Sequence, residues 1–444
     1  MRAAAGLPLL GLRAALRQHP AGPSTLRSRA PVPHSPLVNA LRIPRYTPSR
    51  SIHSSPLSAA RQAIGKITPK RIAIPLGEGT SGREGMPKAS VWRPIVFCIG
   101  LGGVAYAYAS LYTNADTAQW MQALGSGSVW RMGREPTDRD LARAKQMQRV
   151  KVAREHLSTL SGRLGWLPSW AEEFIVRSYV MFSEWRIESP PAEVVPMAIV
   201  AGMGVIFLMW QSPRLQPFMR KWFLHRPVLL GARPKKEWAN CVTLITSVVS
   251  HQGLAHYAFN SIALISFGSA AYTYLATPDP ALPHLATSTH TPHFLAFLLA
   301  AGLFSSLGSH LFTNLVRLPR LLRALQSPAR LSSAQALAAH QAILPSLGAS
   351  GAVYGALTMT ALAFPDSRVS IIFLPWFSLP IGLGVFGMVA VDIVGLIRGW
   401  RSFDHIAHLS GAAFGLIYYH YGKPAWTWLR IKMGAQPTSS TGYF

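Results

Sequence analysis

Apolar residues in this chain gather into long runs, and a helix that crosses a bilayer needs about 20 mostly apolar residues. The first run is Trp92–Tyr112, and the second, Val194–Trp210, follows Pro190-Pro191. Five more come in close succession: Cys241–Leu275 (one span with its lead-in), Phe294–Val316, Gly348–Phe364, Ile371–Leu396 and Ile406–Tyr421. Between the first two lies a polar stretch, Thr113–Ala192, whose segment Asp138–Leu160 reads as a soluble helix. The pattern predicts an all-α membrane protein with one helix, a long gap, and then six helices.

Composition agrees. Of 444 residues 49% are hydrophobic and only 14% charged, where a soluble globular chain carries about a quarter charged residues. The net charge of +26 raises nucleic acid or an anionic membrane as partner. The placement of the basic residues favours membrane topology and no nucleic-acid role. Loop Gln211–Trp238 carries Arg214, Arg220, Lys221, Arg226, Arg233, Lys235 and Lys236 against the single acid Glu237. Loop Arg317–Leu347 has four arginines and no acid, and Ile397–Asp404 has Arg398 and Arg401. The alternate loops Thr277–His293 and Pro365–Ser370 hold no Lys or Arg and only Arg368, respectively. Basic loops mark one face of the membrane. Threaded back through two spans, that face is also the side of the N-terminus.

From Met1 to Gly77 no acidic residue occurs, while eight arginines are spread over the first 50 positions among Ser and Pro. This is the composition of a mitochondrial presequence; an ordinary basic disordered tail is the plainer reading. Both signals then place the basic face in the matrix and the C-terminus in the intermembrane space. Cys98 and Cys241 form no ligand-like cluster, and a disulfide between them is not expected.

Nucleophilic and ionisable groups inside a bilayer are costly and therefore functional candidates. Gly348-Ala349-Ser350-Gly351 opens one apolar run, so Ser350 sits at a helix N-terminus, where backbone N–H groups can stabilise an oxyanion. Gly351 and Gly355 leave a bare helix face, and Gly411 and Gly415 repeat the spacing beside His408. Two such faces could bring Ser350 and His408 into hydrogen-bond reach. His256 and Asn260, at i and i+4, share a helix face and can donate hydrogen bonds towards a developing negative charge. Each set alone has a plainer reading: glycine pairs serve helix packing, and a membrane histidine can bond a carbonyl. His251 and His256 have no metal-site spacing, and no metal or cofactor is expected.

Together, HxxxxHxxxN at His251, His256 and Asn260, GASG around Ser350 and AHxxGxxxG around His408 resemble the signatures of rhomboid intramembrane serine proteases, in the family's order. The one-plus-six layout with a presequence resembles the mitochondrial, presenilin-associated branch. The resemblance implies a six-helix rhomboid core plus one extra N-terminal transmembrane helix. It implies a dyad of Ser350 as nucleophile and His408 as general base, preferred over His405, with Tyr354 stacked on His408 in place of an orienting carboxylate. The Ser350 N–H, His256 and Asn260 would meet the oxyanion, and His251 would lie behind the cavity. Asp392, the one acid within a core span, reads as locally paired. Ser410 stands where many members have glycine.

The expected domains are a presequence at 1–59, a matrix linker at 60–91, a first transmembrane helix at 92–112, an intermembrane-space segment at 113–192, the protease core at 193–421 and a C-terminal tail at 422–444. Substrates would be single-spanning inner-membrane proteins, including a dynamin-like GTPase, cleaved at a site opening towards the matrix. Oligomeric state is left open. Two readings compete with the protease: an inactive rhomboid-like protein that binds clients, and a carrier or channel, for which no internal repeat is visible.

Overall fold

The computed structural model describes residues 91–126, 136–228, 234–326, 343–371, 374–400 and 402–437. The expected presequence, nearly all of the expected matrix linker and the middle of the 317–347 loop lie outside the described residues.

The first helix, α1 (Trp92–Ser126), is 35 residues long and continues well past Tyr112, where the first span was expected to end. A hairpin follows: α2 (Asp138–Leu164) begins in a capping box between Thr137 and Asp140, and α3 (Ser169–Glu188) returns along it. After Ser189-Pro190 the chain enters α4 (Pro191–Gln211). The lead-in to the next long helix is three short helices, α5 (Gln216–Trp222), α6 (Pro234–Cys241) and α7 (Thr243–Thr246). The long helices α8 (Leu254–Ala276) and α9 (Thr291–Phe312) come next. A single wide turn, Thr313–Arg317, joins α9 to α10 (Leu318–Gln326). Then come α11 (Ser350–Ala363), α12 (Ile381–Arg398) and α13 (His405–Lys432).

Among the described residues four helical segments, Trp92–Gly125, Pro191–Gln211, Thr291–Arg323 and Ile381–Arg398, are long and apolar enough to cross a membrane. Helices α8, α11 and α13 are less apolar or shorter, and these three carry the candidate chemistry.

Two expectations need correction. The run Ile371–Leu396 is not one helix. Its first part pairs Arg368–Ile371 (β1) with Leu374–Pro380 (β2) in an antiparallel hairpin, and α12 begins only at Ile381. Pro380 accounts for the break, because it lacks the N–H an interior helical position needs yet suits the residue just before a helix. The last helix does not stop at Tyr421 but runs through Pro424 to Lys432, so much of the expected tail is core. Arg430 explains the extension. It is buried, and its guanidinium donates to Asn114 Oδ1 (2.8 Å), Thr287 Oγ1 (2.7 Å) and the Ala286 carbonyl (3.0 Å). Asn114 in turn donates to the Arg430 carbonyl, so α1 is stitched to the end of α13.

The core is built where α8, α9, α11 and α13 meet, around Phe294, Phe297, Val353, Met359 and Tyr418. Cys98 and Cys241 are free and pack in one apolar cluster between α1 and α6.

Candidate active site

Helices α11 and α13 approach backbone to backbone, and glycines allow it. A Cβ at Gly411 would run into the Gly351 carbonyl, and one at Gly415 into that of Gly355. From the other side, a Cβ at Gly355 would lie 3.3 Å from the Gly411 oxygen. The two bare faces read from the sequence thus meet backbone to backbone. Ser410 packs against Gly308 of α9, filling the place where a larger residue would push α9 away.

That approach sets Ser350 and His408 opposite one another, with His408 Nε2 2.8 Å from Ser350 Oγ. Ser350 is the first residue of α11, so its own N–H points out of the helix end with no intrahelical carbonyl to meet. The ring of Tyr354, one turn on, stacks on the His408 ring at 4.4 Å between centroids and 13° between planes.

The carboxylate of Asp392 departs from the expectation for an acid in an apolar run. It is buried on α12 and is not locally paired. Asp392 Oδ1 lies 3.1 Å from His408 Nδ1, the ring nitrogen facing away from Ser350. It also lies 2.6 Å from His405 Nδ1, and Asp392 Oδ2 accepts from the Tyr354 hydroxyl at 2.6 Å. Three donors from two other helices therefore satisfy one buried charge, which is the condition for keeping it there. The arrangement fixes tautomers: with Nδ1–H donating to Asp392, His408 Nε2 is left as acceptor for the serine hydroxyl. The expectation of a pair without a carboxylate does not match this geometry. His405 faces Asp392, not Ser350. A signal was present, since an acid within an apolar run requires a partner, and two histidines followed within sixteen positions.

The loop before Ser350 is pinned at several points. Gly348 N–H donates to the Ser247 carbonyl at 2.8 Å, and its φ of 121° is a conformation open to glycine. The His256 ring lies against the Gly348 Cα, where a Cβ would come within 2.6 Å of it. Ala349 N–H donates to His251 Nε2 at 3.3 Å, and the His251 and His256 rings meet edge-on at 4.9 Å. His251 thus holds the backbone next to the serine. Asn260 donates one amide hydrogen to the His256 carbonyl at 2.9 Å, leaving the second for the cavity it borders. Asp404 caps α13 and also accepts from Ser309 (2.6 Å) and Ser346 (2.9 Å). Ser346 pairs with His225 through backbone hydrogen bonds. His225 faces Thr243 and His310, and complete burial, with His310 beside it, pushes its imidazole down to about 3.

Ser350, His408, His256, Asn260 and Tyr354 all border one cavity of about 1910 Å³, walled on its flanks by α8 and α12. Its apolar rim includes Phe259, Ile262, Leu383 and Val391, which are themselves exposed. Among the described residues no group of three or more His, Cys, Asp or Glu could hold a metal ion.

Known proteins resemble this chain chiefly over its second half. Residues 238–424 match the rhomboid domain model. Over 334 residues the chain is 25% identical to the zebrafish (Danio rerio) presenilin-associated rhomboid-like protein A, mitochondrial, covering 75% of this chain and 70% of that protein. It is 30% identical over 224 residues to the human presenilin-associated rhomboid-like protein, mitochondrial, covering 50% and 47%. With yeast (Saccharomyces cerevisiae) rhomboid protein 1, mitochondrial, it shares 27% over 218 residues, or 49% of each chain. The matched stretch thus spans about half the length of the human and yeast relatives. The chain carries a domain of the rhomboid family, and its relatives include the mitochondrial presenilin-associated rhomboid-like proteins.

Proposed function

We propose that this chain is an intramembrane serine endopeptidase of the mitochondrial inner membrane, with six core helices, α4, α8, α9, α11, α12 and α13, and α1 as an added span. The observation that carries the reading is the 2.8 Å contact between His408 Nε2 and Ser350 Oγ at a helix N-terminus inside a cavity. His408 takes the serine proton as Oγ attacks the scissile carbonyl, forming the C–O bond. Collapse of the tetrahedral intermediate breaks the C–N bond, and His408 delivers the proton to the leaving amine. Water, deprotonated by His408, then releases the acyl group. Asp392 holds the imidazole in the productive tautomer and offsets its positive charge. The oxyanion is met by the Ser350 N–H, the free Asn260 amide hydrogen and His256.

The length of α11 suits a site below the membrane surface. Its 14 residues rise about 21 Å, short of the ~30 Å hydrocarbon core. A spanning helix is a poor substrate until it unwinds, because its carbonyls are bonded internally. The apolar rim between α8 and α12 suits entry of a single-spanning helix from the lipid. By the charge pattern of the loops the cavity opens to the matrix, with the C-terminus in the intermembrane space, and the substrates are single-spanning inner-membrane proteins such as a dynamin-like GTPase of fusion. The test uses the full chain in liposomes with a single-spanning substrate. Wild type should cleave it and carry a fluorophosphonate label on Ser350, and Ser350→Ala and His408→Ala should do neither. Cleavage retained by Ser350→Ala would end the serine-protease reading, and binding without cleavage by wild type would favour a client-binding protein.

A further inference from the structure

The outward face of α3 has no role in the site, and its composition is unlike that of a solvated helix. Trp166, in the turn before α3, is 78% exposed, and Trp170 and Phe174, at successive four-residue steps, are 73% and 69% exposed. Met181 at 70%, Phe182 at 60% and Trp185 continue the stripe along the helix. Contiguous exposed apolar surface of this kind marks an interaction site. The face cannot turn inward, since the opposite side is committed to α2: Val180 and Ser183 are buried, and the Tyr179 hydroxyl donates to the Ala153 carbonyl.

Both ends of the hairpin are tied to one end of the helix bundle. Asp138 of α2 accepts from Thr287 N–H at 2.8 Å and faces His284, both in the loop between α8 and α9. Lys145 pairs with Asp116 near the end of α1. At its other end α3 passes through Ser189-Pro190 directly into α4, one of the helices apolar enough to span the bilayer. The C-terminal end of α3 is therefore held at the boundary where α4 enters lipid. Tryptophan and other aromatic residues concentrate at that depth, where ring and headgroup region match.

We infer that the aromatic face of α3 lies in the headgroup region of the bilayer, on the membrane face where the α8–α9 loop emerges, as an interfacial helix that anchors the α2–α3 hairpin. The inference rests on the chain spanning a membrane and is independent of the protease reading. The charge on α3 excludes an electrostatic anchor. Four acids, Glu172, Glu173, Glu184 and Glu188, outnumber Arg177 and Arg186, so insertion is driven by apolar burial and does not depend on anionic lipid.

The test is nitroxide accessibility in the full chain, with Cys98 and Cys241 replaced by serine and one label at Phe174→Cys or Met181→Cys. The protein is reconstituted in phosphatidylcholine vesicles with and without phosphatidylglycerol, and a label at Glu155→Cys on α2 serves as the water-facing reference. Oxygen collisions should dominate over collisions with a water-soluble nickel chelate at 174 and 181, with the reverse at 155, in both lipid mixtures. Nickel access at 174 and 181 would mean a solvated face and overturn the inference. Exclusion of both reagents would mean a protein covers the face and would also overturn it. So would immersion that requires phosphatidylglycerol. A second pair of labels at Trp170→Cys and Trp185→Cys must give the same result, which guards against a local distortion at either single site.

Discussion

Asp392→Asn separates a carboxylate that positions the base from one that merely fills space. Three donors, His405 Nδ1, the Tyr354 hydroxyl and His408 Nδ1, converge on its two oxygens. An asparagine of the same shape offers one acceptor oxygen in place of two and carries no charge, so the hydrogen bonds from the histidines weaken. The His408 contacts, at 3.1 and 3.2 Å, are longer than the other two at 2.6 Å, which marks His408 as the donor that loses. A hydrogen bond to a charged group is worth about 1.5–3 kcal/mol. If that amount holds the imidazole in its productive tautomer, kcat should fall roughly 10- to 150-fold. Soluble serine proteases lose about 10⁴-fold on the equivalent change. The smaller figure is expected here because the Tyr354 ring, stacked at 4.4 Å, still fixes the plane of the imidazole. The assay is turnover of a single-spanning substrate in liposomes beside the rate of fluorophosphonate labelling of Ser350. Both rates should drop together with KM little changed, because the buried carboxylate is engaged by Tyr354, His405 and His408. A kcat within twofold of wild type, in a preparation where Ser350→Ala is inactive, would refute the positioning role. An equal loss of thermal stability and of substrate binding would show Asp392 to be structural only.

Three further perturbations test other parts of the structure. Gly411→Leu drives a side chain into the Gly351 backbone, which cannot yield, so the cost should exceed the ~1–3 kcal/mol typical of overpacking and show as a loss of monodisperse protein; Gly202→Ala, with open space around it, should be neutral or slightly stabilising. Arg430→Ala leaves Asn114, Thr287 and the Ala286 carbonyl without their buried donor, and should lower stability by about 3 kcal/mol in detergent unfolding; an unchanged midpoint would disprove the clamp between α1 and α13. His225 stays neutral in the folded chain down to about 3, whereas an unfolded imidazole binds a proton below about 6.5. Acidification between those values therefore favours unfolding, by about 2 kcal/mol at pH 5 relative to pH 7, and His225→Gln should flatten the dependence of the unfolding midpoint on pH over that window.

Much of the helical frame and of the site was legible because each rests on local chemistry. Long apolar runs announced most helices, and the four-residue glycine spacing announced which faces could touch. What escaped was decided by contacts between distant segments. The β1–β2 hairpin hid in an apolar run because apolar strands and apolar helices have the same composition there, and only Pro375 and Pro380 argue against a helix. The last helix looked finished at Tyr421, where Lys423 and Pro424 interrupt the run, yet Arg430 is held inside by partners more than a hundred residues away. Asp392 was visible as an anomaly, but its partners on α11 and α13 could be named only once α12 was packed beside them.

The backbone contact between α11 and α13 has a dynamic consequence. Helices joined through glycine carbonyls leave few side chains between them to re-pack, and the Tyr354 ring stacked on His408 ties them further, so Ser350 and His408 travel as one rigid unit. On the protease reading, an opening that admits a substrate must come from the cavity's flanks, α8 or α12. Helix α12 is itself tethered twice, at Asp392 and at buried Ile381, which packs on Leu357 and Ala361 of α11, so a swing of α12 has to release one of these contacts. Should the swing reach Asp392, the imidazole would lose its partner until the wall closed again. The protein would then be least reactive while open and most reactive once a client is enclosed.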